Sequence, residues 1–196
     1  MLDNKENKVL EQAQKELIAN GKLNITVRRK IWQAMGELEA REQDSPIPRT
    51  LTEPLKKRAL LALACAKKVM PIWCKCDPND KRPQILIKKS LAYLEGKITV
   101  RDLDAEVTSG VIDDFMEMID EEEIAASAAL AAWKAAIVAL EDEADLEPWC
   151  QDVTEKEMDS YDWDTAKNAC IAWSDAHSDG DNGKCAVREM KFWARY

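Results

Sequence analysis

Proton transfer at neutral pH most often relies on histidine, and this chain has a single one, His177, set between Asp175 and Asp179. A hydrolase of the Ser-His-Asp or Cys-His type would depend on that residue. His177 borders a loop from Ser178 to Gly183 and reads as a solvated side chain, not as a base. Carboxylates are plentiful, as in Asp113-Asp114 and the run from Asp120 to Glu123. A general acid needs a carboxyl held in an apolar pocket that raises its pKa, whereas a run of adjacent acids reads as a solvated face. The sequence lacks G-x-x-x-x-G-K-[ST], G-x-G-x-x-G and H-E-x-x-H. These residues predict neither an enzyme nor a cofactor.

Metal chemistry has two candidates. Cys74-Lys75-Cys76, with Cys65 one helix away, could begin a zinc site. Structural zinc takes pairs spaced C-x₂₋₄-C and four ligands, and here the spacing is shorter with no second pair. The loop Asp179-Gly180-Asp181-Asn182-Gly183 suggests calcium. Aligning Gly183 with the invariant glycine of an EF-hand puts Glu189 at the twelfth position but Ser178 and Gly180 at the first and third. Aligning Gly180 instead puts Ala186 at the twelfth. Both registers fail, and no metal is predicted.

The elements that carry these residues read as helices. Gly is scarce while Ala, Leu, Glu and Lys abound, and no alternating run is long enough for a strand. The first helix covers 3–19 and stops near Gly21. Asn24-Ile25-Thr26 opens a second, through Ile31, Trp32, Met35 and Leu38, and Asp44-Ser45-Pro46-Ile47-Pro48 breaks the chain. A third starts near Thr52-Glu53-Pro54, and Pro71 should end or kink it. Asp77 to Pro83 forms a turn-rich loop, with Asp80 capping and Pro83 starting the next helix, roughly 84–95. Thr99-Val100-Arg101-Asp102 is a capped start. Residues 121–146 form one long Ala-rich helix closed by Pro148. A short helix follows Thr154-Glu155-Lys156-Glu157, then one through Ala166 to Trp173 and a last from Cys185 to Arg195. The expectation is an all-α protein of about eight helices, one domain or two lobes, with a helical pair and linker at 1–48 and a core at 49–196.

Charge is uneven. Residues 1–100 carry 20 Lys+Arg and 12 Asp+Glu, net +8; residues 101–196 carry 8 and 25, net −17. The acidic half repels phosphate backbones and anionic membranes and attracts basic proteins. No stretch reads as the roughly 20 apolar residues of a membrane span. The N-terminus is too polar for a secretory signal, so the six cysteines, 65, 74, 76, 150, 170 and 185, are expected as free thiols in the cytoplasm. The seven tryptophans serve as core or as interface anchors.

Several segments resemble a known family. Arg58-Ala59-Leu60-Leu61 through Cys65-Ala66 leads into Val69-Met70-Pro71-Ile72-Trp73, Asp77-Pro78, Asp80-Lys81-Arg82-Pro83 and Gly96. Tyr161-Asp162-Trp163-Asp164-Thr165-Ala166 follows, then Phe192-Trp193 near Tyr196. Over roughly 55–196 the pattern is similar to the Imm5-type immunity proteins that accompany bacterial polymorphic toxins. It departs where Cys74 replaces a usual glutamate, where the central helix lacks histidines, and where Ser174-Asp175-Ala176 replaces an Ala-Gly-Gly turn. The resemblance implies a helical protein that binds its cognate toxin inside the producing cell. Joined to the charge pattern, it places the contact on Asp113, Asp114, Glu117, Asp120, Glu121, Glu122, Glu123, Glu141, Asp142, Glu143 and Asp145, facing a basic toxin. Trp133 and Trp149 are candidate anchors. The competing reading is a helical adaptor whose acidic face binds an unrelated basic protein.

Overall fold

A computed structural model describes residues 4–20, 23–36, 51–142 and 165–176. Among the described residues all regular structure is helical: α1 (Asn4–Asn20), α2 (Ile25–Ala34), α3 (Glu53–Cys76), α4 (Arg82–Leu94), α5 (Val100–Val107), α6 (Val111–Glu117), α7 (Ile119–Glu141) and α8 (Thr165–Ala176). The expected linker at 44–48, the helix after Thr154, the glycine loop near 180 and the helix from Cys185 lie outside the described residues, as do His177 and the stop at Gly21.

Several helix starts follow the sequence signals. Asn24 Oδ1 accepts from the Val27 N–H at 3.0 Å, and Thr52 Oγ1 from the Leu55 N–H at 3.4 Å. Thr99 and Asp102 form a reciprocal capping box. The loop before α4 is tied by carboxylates. Asp77 Oδ1 accepts from the Asn79 and Asp80 N–H groups, both at 3.1 Å, and Asp80 Oδ1 from the Arg82 N–H at 2.8 Å. Asp80 thus serves the start of α4 from one residue before the formal cap, Lys81.

Three expectations need correction. Pro71 does not end α3, which runs through it to Cys76. Pro71 and Lys67, whose carbonyl loses its donor, are both exposed, so water can satisfy that carbonyl. The long helix ends at Glu141, well before Pro148, because Asp142 takes φ 64° and ψ −175°, a region L-residues rarely adopt. It also begins earlier, at Ile119, with a non-helical residue, Glu122, inside it. Finally, Glu121–Glu141 is, by length and composition, apolar enough to cross a membrane. Most of it lies inside the protein, where α3, α4 and α8 pack around it. Alanine explains both properties: Ala126, Ala128, Ala129, Ala131, Ala132, Ala135, Ala136 and Ala139 are fully buried, and their small side chains admit neighbouring helices closely.

At the far end of α7 lies a buried ion pair. Arg58 on α3 donates from Nε to Asp142 Oδ1 at 2.6 Å and from Nη2 to Asp142 Oδ2 at 2.7 Å. Its Nη1 donates to the carbonyls of Trp32 at 3.3 Å and Gly36 at 3.0 Å. Arg58 is wholly buried and Asp142 nearly so. Gly36 has φ +129°, and a Cβ there would sit 2.5 Å from Pro54 Cγ, so only glycine brings this carbonyl to the guanidinium without displacing Pro54.

Removing one member of such a pair leaves an uncompensated buried charge. Asp142→Asn, which keeps the shape and tolerates positive φ, is expected to lose about 3–5 kcal/mol in urea unfolding, and Arg58→Met a similar amount. The double variant should lose much less than the sum of the two.

Candidate functional site

Phe115 fixes the position of α6. It is fully buried and meets the ring of Trp73 edge-on, centroids 5.4 Å apart at 69°. Trp73, itself buried, donates its indole N–H to the Asp80 carbonyl at 3.0 Å. The Arg82 guanidinium stands 5.3 Å from the Phe115 ring centroid, donates to Asp80 Oδ2 from Nε at 2.8 Å, and pairs with Asp114. Burial pushes the Asp80 carboxyl up, but hydrogen bonds from Arg82 and its charge outweigh this and hold it below the ordinary value. Arg82 is raised in turn, chiefly by its hydrogen bond to Asp80. Loop, α4 and α6 are thereby joined.

With Phe115 anchored, α6 turns its acids outward. Asp113, Asp114 and Glu117 are exposed, as are Glu121, Glu122 and Glu123 at the α7 break. Asp120 lies in the same turn. Asp114 is compensated by Arg82, and Glu106 on α5 by Lys89 on α4 at 2.5 Å. Among the described residues Asp113, Glu117, Glu121 and Glu123 make no ion pair. Met116 is 43% exposed within this acidic surface.

The second acidic segment is elsewhere. Glu141 is the last residue of α7, about 30 Å from Glu121 along the helix axis. Asp142 is buried against Arg58, so it belongs to the core and not to an acidic face. Glu143, Asp145 and Trp149 lie outside the described residues. Trp133 is half-buried midway along α7; its indole donates to the Val107 carbonyl at 3.2 Å, and Lys134 stands over its ring at 5.6 Å. The two acidic segments named from the sequence thus stand at opposite ends of α7.

A family model for the immunity protein Imm5 matches residues 10–196. The chain belongs to the Imm5 immunity protein family. No curated protein and no solved structure matches it. The match takes in the N-terminal helices as well as the region of sequence resemblance, and Arg58, inside the resembling Arg58–Leu61 segment, is the residue that bonds α2. Cys74 accepts a hydrogen bond from the Gln84 amide at 2.9 Å.

Among the described residues no three metal-ligating side chains come together, and none of Cys65, Cys74, Cys76 and Cys170 forms a disulfide. Cys76 is exposed at the end of α3 and donates its thiol proton to Glu122. That hydrogen bond, with desolvation and the charges of Glu122 and Asp77, pushes the Cys76 pKa up to about 11. Nothing in the sequence signals this contact between residues 46 apart.

Because the thiolate is the nucleophile, Cys76 should alkylate slowly at pH 8 despite its exposure. Glu122→Gln removes the charged acceptor and is expected to speed iodoacetamide labelling of Cys76 by on the order of tenfold or more, read by peptide mass mapping. Equal rates in the two proteins would place the thiol away from Glu122.

Proposed function

We propose that this Imm5 protein neutralises its cognate toxin inside the producing cell as a non-enzymatic inhibitor of a polymorphic toxin system. It does so by laying the acidic α6–α7 junction over a basic surface at the toxin's active site. The supporting observation is the set of four exposed acids, Asp113, Glu117, Glu121 and Glu123, that no cation of the described residues compensates. Such charges lose nothing internal when they turn to a partner. Their summed field accelerates encounter with a basic groove, and occupying that groove excludes substrate.

The 30 Å separation favours the 113–123 cluster alone as the first point of contact. Met116 supplies apolar area among the acids, in keeping with interfaces that combine an apolar centre with a charged rim. Asp114 and Glu122 have internal partners and contribute less to attraction. Catalysis, a cofactor, a membrane and direct nucleic-acid contact play no part in this reading. The cytoplasm is where such an inhibitor meets its toxin before harm is done.

A variant carrying Asp113→Asn, Glu117→Gln, Glu121→Gln and Glu123→Gln keeps the buried face of α6 unchanged. Its association rate with the cognate toxin should fall by about tenfold or more at low salt and lose most of its salt dependence. Cells co-expressing toxin and variant at matched protein levels should survive less well. Full protection together with an unchanged on-rate would rule out the acidic junction as the toxin contact.

A further inference from the structure

Charge on α3 is also segregated, with the opposite sign: its one acid, Glu53, lies in the first turn and pairs with Lys56 at 3.0 Å. Between Pro54 and Cys76 there is no acid, while Lys56, Lys57, Lys67, Lys68 and Lys75 all reach the surface in full or in part. In a chain of net charge −9 this is a local positive pole. Leu60, Lys67, Pro71 and Lys75 fall at helical spacing on one exposed side. Leu60 is 50% exposed, an apolar side chain among cations on a helix whose other side packs against α7 and α8. The face extends along a helix of 24 residues, about 36 Å.

The two poles adjoin. The Cys76–Glu122 contact sets the last turn of α3 beside the α7 break, so Lys75 is followed on the surface by Glu121 to Glu123. A continuous strip that runs from positive to negative is self-complementary under a two-fold axis, each end meeting the opposite end of the other copy. We infer that, in the absence of toxin, two copies of this chain associate in this way, the lysine face of α3 in each copy lying against the acidic α6–α7 junction of its partner, so that a toxin bound at that junction as proposed above displaces the second copy. Leu60 and Met116 would lie within the contact and supply its apolar area. Net charge repels the copies at long range, but within the contact lysines face carboxylates directly, and that attraction, strongest at low salt and weakened as salt rises, outweighs the more distant repulsion. A nucleic acid fits the strip less well: the adjoining acids repel phosphate, and among the described residues no aromatic is one of the exposed large apolar side chains that could stack on bases.

Analytical ultracentrifugation of the full chain tests this without a toxin, so failure here leaves the proposed function untouched. The expected result is a reversible dimer at low salt that dissociates as salt rises. Lys67→Glu with Lys75→Glu should raise the dissociation constant by about tenfold or more, and Glu117→Lys with Glu121→Lys likewise. Mixing the two reversed proteins should restore association, because each then meets a complementary face. Circular dichroism checks that both variants fold, and a milder pair, Lys67→Gln with Lys75→Gln, should weaken the dimer if the reversed protein does not. A chain that stays monomeric at every soluble concentration, a dimer indifferent to salt and to these substitutions, or a mixture that fails to re-associate would each overturn the inference.

Discussion

Arg58 and Asp142 are 84 positions apart and meet where water does not reach. Removing a guanidinium and a carboxylate from water costs several kcal/mol per ion, so the pair persists only because its geometry is nearly complete. Two parallel N–H···O bonds join the charges, and the third guanidinium nitrogen, Nη1, reaches the carbonyls of Trp32 and Gly36 at the end of α2. Asp142 even holds a backbone conformation that L-residues avoid. A buried ion pair is a weak source of net stability but a strong source of register, since any slide of α7 along α3 would leave both charges unpaired. It locks the end of α2, the start of α3 and the end of α7 to one another. With that end fixed, the alanine-lined α7 can lie close to its neighbours, and its opposite end must emerge where α6 carries the acids.

The helices were legible because their signals are local. Asn24, Thr52 and Thr99 each sit beside the amides they cap, and no tertiary contact is needed to recognise them. The ends of α3 and α7 were harder, because Pro71 and Asp142 act through surroundings that the sequence does not display. Proline breaks helices when its freed carbonyl is buried, and here that carbonyl belongs to exposed Lys67. Asp142 looked like one member of an acidic run, flanked by Glu141 and Glu143, and only its partner shows otherwise. A partial signal did exist. Arg58 falls in phase with the buried row Leu55, Ala62, Ala66, Val69 and Trp73, so a charged residue on the apolar side of α3 called for a distant carboxylate.

The candidate surface was legible as composition and illegible as shape. Counting acids located both clusters, yet a 23-residue helix between them means that they cannot act as one small patch. Exposure alone does not decide which acids matter either. Asp114 and Glu122 are as visible in sequence as Asp113 and Glu123, but each is engaged, by Arg82 and by Cys76. What remains outward-facing and uncompensated is a smaller set, shared between the start of α7 and the short helix α6, whose one aromatic, Phe115, is fully buried and gripped by Trp73 and Arg82. Family membership supplies the kind of partner, and the outward acids of the α6–α7 junction are the ground for the face proposed to meet it.

Hydrogen–deuterium exchange of the chain, free and bound to its cognate toxin, tests that pairing of fold and face most directly. If the α6–α7 junction is the contact, amides across 111–124 gain protection on binding, and those of α7 beyond Ala126, already buried, change little. Unchanged exchange across 111–124, with protection gained on another surface such as the exposed side of α3 instead, would contradict it.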